Sequence, residues 1–180
     1  SLGAQIEGEG TPRIQIQGVE VLSPAAVPHK VLPDRIEAGT YLVAGAITGG
    51  DVTVCGVSAS DMLPVIDALR RMGCEIEAGD DQIRLVRNGD LQPVEISTQP
   101  HPGFPTDMQA QLMALTTLAK GRSTITENIF ENRFMHVPEL VRMGAQIEVN
   151  GNTAVIQGVD ALRGASVMAT DLRASASLVL

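Results

Sequence analysis

Met143-Gly144-Ala145-Gln146-Ile147-Glu148 is the third appearance of one phrase in this chain: Leu2-Gly3-Ala4-Gln5-Ile6-Glu7 opens it, and Met72-Gly73-Cys74-Glu75-Ile76-Glu77 stands between. The glycines Gly3, Gly73 and Gly144 are 70 and 71 residues apart. Self-similarity at a fixed spacing marks repeated supersecondary units, and one such unit cannot cover its own apolar faces, so several must pack together. A second landmark repeats as well. Pro33-Asp34, Thr106-Asp107 and Thr170-Asp171 each open an alanine- and leucine-rich run, and the first two runs end in glycine, at Gly49 and Gly121.

Working outward, the pieces take a common order. Residues 34–48 predict a helix, with Asp34 and Glu37 at capping-box spacing. Residues 52–57 alternate as a strand does. Ser60 is placed to cap a helix with Ile66, Leu69 and Met72 on one face, and Gly73 supplies its left-handed terminal residue. Residues 74–78 and 82–86 form a hairpin around Gly79-Asp80-Asp81. The next unit repeats this: helix 107–120, strand 123–126, helix 135–143, and a hairpin of 145–149 and 153–157 around Asn150-Gly151-Asn152. The helices opening at Asp34, Asp107 and Asp171 carry so little polar surface that burial is expected, with helices inside and sheets outside. Three prolines in residues 23–33 predict a stiff, extended connection. Both ends look cut, because residues 177–180 stop inside an apolar run with no C-cap; the chain is expected to be an internal segment of a longer protein.

Composition bounds the rest. The 180 residues are 44% hydrophobic and 19% charged, ordinary for a globular protein, with three Phe, one Tyr and no Trp. A net charge of −8 and few aromatics argue against a nucleic-acid partner. No apolar run approaches membrane-spanning length and no signal peptide opens the chain, so no membrane partner and a cytoplasmic location are expected. Cys55 and Cys74 form no CxxC; Cys55 fits a strand core, and Cys74 stands where Ala4 and Ala145 stand in the other repeats. His29, His101 and His136 are scattered without metal-ligand spacing, so no metal is expected, and the glycine patterns of dinucleotide or P-loop sites are absent.

Chemistry concentrates at the helix starts. In His101-Pro102-Gly103-Phe104-Pro105-Thr106-Asp107-Met108-Gln109, Thr106 and Gln109 have capping-box spacing, which makes Asp107 the first helical residue beside free N–H groups. Asp107 is a candidate base or hydroxyl acceptor, or else merely complements the helix dipole. Arg173 and Arg35 sit in first turns, where a cation opposes the dipole; either a bound anion or the neighbouring aspartate resolves the conflict. Arg133 falls in a strand-to-helix loop, a common place for ligand contacts, with a surface pair to Glu131 or Glu139 as the alternative. Arg70 and Arg71 read as a solvated face.

Three strings carry a resemblance over essentially the whole chain: Pro100 to Gln111, Phe130-Glu131-Asn132-Arg133-Phe134-Met135-His136-Val137-Pro138-Glu139-Leu140, and Met168-Ala169-Thr170-Asp171-Leu172-Arg173-Ala174-Ser175-Ala176-Ser177-Leu178. They resemble the UDP-N-acetylglucosamine 1-carboxyvinyltransferase branch of the enolpyruvyl transferase family. The resemblance implies an α/β fold, an inside-out α/β barrel of two domains, each built from three βαβαββ units. Residues 1–31 then end one domain, and residues 32–180 belong to the second. It implies transfer of the enolpyruvyl group of phosphoenolpyruvate to the 3′-hydroxyl of UDP-N-acetylglucosamine with release of phosphate, the first committed step of peptidoglycan synthesis, with no cofactor. Asp107 matches the family's aspartate at the sugar hydroxyl, and Ile129 a position contacting the nucleotide sugar. Arg133, Asp171 and Arg173 match active-site residues. The family's proton-donating loop cysteine matches neither Cys55 nor Cys74; that loop, an N-terminal lysine and a further arginine fall outside these residues. The 180 residues alone are therefore expected to be inactive. The shikimate-pathway relative and a non-catalytic nucleotide-sugar-binding module are the competing readings.

Overall fold

The computed structural model describes residues 2–169 and 171–180, apart from the side chain of Arg173. It falls into two compact units, residues 1–33 and 34–180. In the first, β1 (Gln5–Glu7) pairs antiparallel with β2 (Gln15–Gln17). No regular element is assigned between Gln17 and Arg35.

Among the described residues the second unit holds two sheets. β3 (Asp51–Cys55), β4 (Glu75–Ala78) and β5 (Gln82–Val86) form one, antiparallel, with β5 central. β6 (Glu95–Ser97), β7 (Arg122–Thr126), β8 (Gln146–Asn150) and β9 (Thr153–Gln157) form the other, in the order β6-β7-β9-β8. The register puts apolar side chains opposite one another on a single face: Val52 and Ile76 across from Leu85, Val54 across from Ile83, Ile125 across from Ala154, and Ile147 across from Ile156. Period-two alternation then buries Ile83, Leu85, Ile125, Ala154 and Ile156 while their neighbours stay more exposed. On the open face Arg84 ties the strands, reaching Asp51 at 2.7 Å and Glu77 at 3.4 Å.

The helices are α1 (Arg35–Ile47), α2 (Leu63–Arg71), α3 (Gln109–Thr116), α4 (Val137–Arg142) and α5 (Leu172–Ser177). Asp34 caps α1, its carboxylate accepting from the amides of Ile36 and Glu37. All eight residues of α3 are buried, as their lack of charge demands. Its Leu112, Met113 and Leu115 join Leu42 and Val43 of α1 in one apolar core. The strand β6, which the sequence reading missed, is short and runs parallel to β7; a parallel pair needs a crossover, and α3 provides it.

The recurring glycines close helices in the same way. Gly73 and Gly144 have φ of 92° and 101°. After α2, Gly73 N–H donates to Arg70 and Cys74 N–H to Leu69; after α4, Gly144 N–H donates to Val141 and Ala145 N–H to Leu140. This paired pattern is the Schellman end, and only glycine takes that φ without strain. Each such turn feeds the hairpin of its repeat.

Some expectations need correction. Ser58, not Ser60, accepts the capping bond, because a 3-10 turn (Ala59–Met62) precedes α2. Cys55 is exposed, since its strand neighbours Val52 and Val54 face the other way; Cys74 is buried as expected, and burial raises its thiol pKa. The helix expected over 107–120 begins as a 3-10 turn and ends at Thr116. Among the described residues no helix is long and apolar enough to cross a membrane.

Gly158 marks the tightest approach in the unit. A Cβ there would stand 1.6 Å from the Ala119 carbonyl oxygen, which is backbone and cannot swing away. Gly158→Ala should destabilise the protein by at least about 1–3 kcal/mol, the usual range for overpacking. Gly164→Ala, with nothing within 4 Å, should stay within about 0.5 kcal/mol of the parent. Thermal melts of the two variants check both.

Candidate active site

The site begins where β6 and β7 end. Val94 and Ile96, then Thr98, face inward along one strand; Ser123 and Ile125, then Glu127, face inward along its neighbour. Alternation therefore carries a hydroxyl and a carboxylate into the interior just past the ends of two parallel strands. Glu127 is 3% exposed and fully engaged. Its Oε1 accepts from the Thr98 hydroxyl (2.8 Å) and from the amides of Ile129 (2.8 Å) and Phe130 (3.2 Å), and its Oε2 accepts from the Thr106 hydroxyl at 2.8 Å.

The chain beyond Thr98 doubles back. Gln99 N–H donates to Phe104 O, Gly103 N–H to Pro100 O, and Thr98 bridges Phe104. This returns residues Thr106–Met108, a 3-10 turn, to the strand ends. Thr106 thus does not cap a helix: its hydroxyl donates to Glu127 and accepts from Arg133, and no side chain caps that turn. Asp107 lies within the turn, half-buried, and not at the first position of an α-helix.

Arg133 is delivered by Asn132, whose φ of 55° is left-handed, a conformation asparagine tolerates better than most residues. Its guanidinium makes three contacts. Nη1 donates to Thr106 Oγ1 at 2.9 Å, Nη2 donates to Asp107 Oδ1 at 2.7 Å, and the group lies 4.9 Å from the centroid of the Phe130 ring. The alternative pairing of Arg133 with Glu131 or Glu139 is not adopted; Glu139 instead accepts from Met168 N–H and pairs with Arg142. Arg35 meets His101 Nδ1 at 3.2 Å and not its neighbouring aspartate.

A cavity of about 450 Å³ opens over this pair, lined by Thr106, Asp107, Arg133, His136 and Asp171 among others. Asp171 comes from the start of α5, where its carboxylate accepts from Ala174 N–H. Asp107, Arg133 and Asp171 are therefore brought together. Thr170 and the Arg173 side chain lie outside the described residues. Ile129 lines an adjoining cavity of about 780 Å³ that shares the Phe130 to Arg133 wall. Cys55 and Cys74 line neither. Among the described residues no group of three or more His, Cys, Asp or Glu is placed to hold a metal ion.

His136 is the other buried group here, 2% exposed with no hydrogen-bond partner for Nε2. Burial lowers its pKa from the ordinary 6.5 to about 4, Asp171 opposing and Arg133 adding to the shift. Sequence reading weighed His136 only as a metal ligand and passed over Glu127. The signal for Glu127 was available: it continues the inward positions of its strand.

Comparison with known proteins gives concordant likenesses. Residues 1–180 match the family described as EPSP synthase (3-phosphoshikimate 1-carboxyvinyltransferase). A protein of Azorhizobium caulinodans named UDP-N-acetylglucosamine 1-carboxyvinyltransferase is 59% identical over 99% of this chain and 42% of its own length. Proteins of the same name from Anaeromyxobacter sp. (strain K) and Brucella ovis are 56% identical over all of this chain and 42% of theirs. The crystal structure of the enolpyruvyl transferase NikO from Streptomyces tendae superposes with a TM-score of 0.82 at 30% identity, covering 99% of this chain and 43% of that one. The chain thus spans about two fifths of the curated relatives it matches.

Because His136 is held neutral when folded but takes a proton below pH 6.5 when unfolded, its burial withdraws stability as pH falls from 6.5 towards 4. At the low end the loss should approach about 3 kcal/mol. The ring resonances of His136, followed by NMR, should titrate near pH 4; a midpoint near 6.5 would contradict the burial argument.

Proposed function

The chain belongs to the EPSP synthase family, and from that premise we propose that it is part of an enzyme transferring the enolpyruvyl group of phosphoenolpyruvate to the 3′-hydroxyl of UDP-N-acetylglucosamine, releasing phosphate. The observation that carries this is the Asp107–Arg133 pair, 2.7 Å apart at the mouth of a cavity that Asp171 also lines. The relatives at 56–59% identity bear that activity in their names.

In this reading the sugar hydroxyl adds to C2 of phosphoenolpyruvate as its methylene carbon takes a proton. The tetrahedral ketal then loses phosphate together with a proton from that carbon, which restores the double bond. Asp107 accepts the proton leaving the 3′-hydroxyl. A carboxylate is a weak base, so close positioning supplies much of its effect. Arg133 and Arg173 hold the anionic phosphate or carboxylate and stabilise the charge moving between them. Asp171 completes the acidic wall, and Ile129 meets the nucleotide sugar from the adjoining cavity. No cofactor takes part. Protonation of the methylene carbon falls to a group outside residues 1–180, so the remainder of the same chain is a necessary partner, and the 180 residues alone do not turn over.

The same reading extends to architecture and setting. The buried α3 and the buried face of α1, behind sheets with one open face, support an inside-out α/β barrel, with residues 32–180 in one domain and residues 1–31 ending the other. The enzyme works in the cytoplasm, on small anionic substrates.

Phosphate release by the intact protein tests the proposal. Turnover is expected with UDP-N-acetylglucosamine and not with shikimate 3-phosphate; the reverse preference would overturn it. Asp107→Asn should lower kcat by at least about 100-fold, the range for a lost general base. Near-normal kcat would remove Asp107 from the mechanism.

A further inference from the structure

We propose that Glu127 is a positioning residue for the Asp107–Arg133 pair, acting through the Thr106 hydroxyl. The inference rests on the enolpyruvyl-transfer reading of the same cavity. A hydroxyl has one proton, and in Thr106 that proton is committed to Glu127 Oε2 at 2.8 Å. Its lone pairs therefore face the cavity as acceptors, and Arg133 Nη1 fills one at 2.9 Å. The second arm of the guanidinium reaches Asp107 Oδ1. Two donors of one planar group are thus fixed on two consecutive residues of a single turn.

The division matters during the reaction. When Asp107 takes the proton of the sugar hydroxyl, its carboxylate charge is neutralised and its hold on Arg133 weakens. The Thr106 arm, backed by a buried carboxylate already bonded to the protein, keeps the guanidinium in place through that step. Glu127 is suited to this because its other oxygen is saturated by Thr98 and by the amides of Ile129 and Phe130. It cannot turn away without breaking those bonds.

The two arms of Glu127 can be separated by substitution. Thr106→Val removes the hydroxyl and leaves the loop amides bonded. Glu127→Gln can keep its oxygen on those amides, but its NH2 then faces Thr106 and drives the hydroxyl proton towards Arg133. In the intact protein, with UDP-N-acetylglucosamine and phosphoenolpyruvate, each single variant should lose kcat by about tenfold or more while the KM for the nucleotide sugar moves by less than about threefold. Acting through one hydroxyl, the pair should be non-additive: the double variant is no slower than the slower single. Thr106→Ser should recover most of what Thr106→Val loses. In parallel, the side-chain N–H resonances of Arg133, observed by NMR, should shift in Glu127→Gln and Thr106→Val.

Wild-type rates in either single variant, or fold-losses that multiply in the double, would overturn the positioning role. So would Arg133 resonances that do not respond, whatever the turnover. If Glu127→Gln does not fold, the comparison of Thr106→Val with Thr106→Ser decides alone. Absence of turnover by the wild-type protein, with Arg133 resonances that still respond, would instead strike the enolpyruvyl-transfer reading.

Discussion

At the point where β7 runs out, Glu127 is 3% exposed and accepts four hydrogen bonds. A carboxylate taken out of water costs several kcal/mol unless its lone pairs are filled. That cost constrains everything nearby. Thr98 must face inward just past the end of β6, residues 127–130 must turn their amides back on the strand end, and the loop after Thr98 must return Thr106 to the same place. Those three requirements put Asp107 and Arg133 side by side. The cavity is shaped by satisfying one buried acid, and the residues that face a ligand are its second layer.

The repeat explains why this occurs at one edge of the unit. Both repeats follow a helix with a left-handed glycine and a hairpin, and both hairpins present an apolar face to the same core. Among the described residues only the second is preceded by a strand, β6, pairing in parallel with its neighbour. Parallel neighbours end together at their carboxyl edges, a place where loops gather around ligands. The first repeat has Asp34 at the corresponding helix start, but there the carboxylate caps α1 and lies outside the cavity. One inherited position thus does structural work in one repeat and faces the cavity in the other.

Much of this was legible in the residues. The 70- and 71-residue spacing gave the order of helices and hairpins, because glycine ends and period-two alternation are local effects with strong physical causes. The burial of α3 followed from its lack of charge, and that of one face of α1 from its run of small and apolar residues. What local rules could not supply was long-range pairing. β6 is three residues long, and only its register with β7 identifies it as a strand. Capping-box spacing pointed to Thr106 as a cap, yet a buried acid 21 residues away competes for the same hydroxyl and wins. Arg133 was expected in a functional loop, but its partners come from a different loop. Cys55 was misjudged because a strand has two faces, and composition does not say which one is covered.

The most direct measurement is a crystal structure of the intact protein with UDP-N-acetylglucosamine bound. The sugar's 3′-hydroxyl should lie within hydrogen-bond distance of the Asp107 carboxylate, with Arg133 still held by Thr106 and the nucleotide along the wall that includes Ile129. A nucleotide sugar seated elsewhere, leaving the Asp107–Arg133 cavity to solvent, would contradict it.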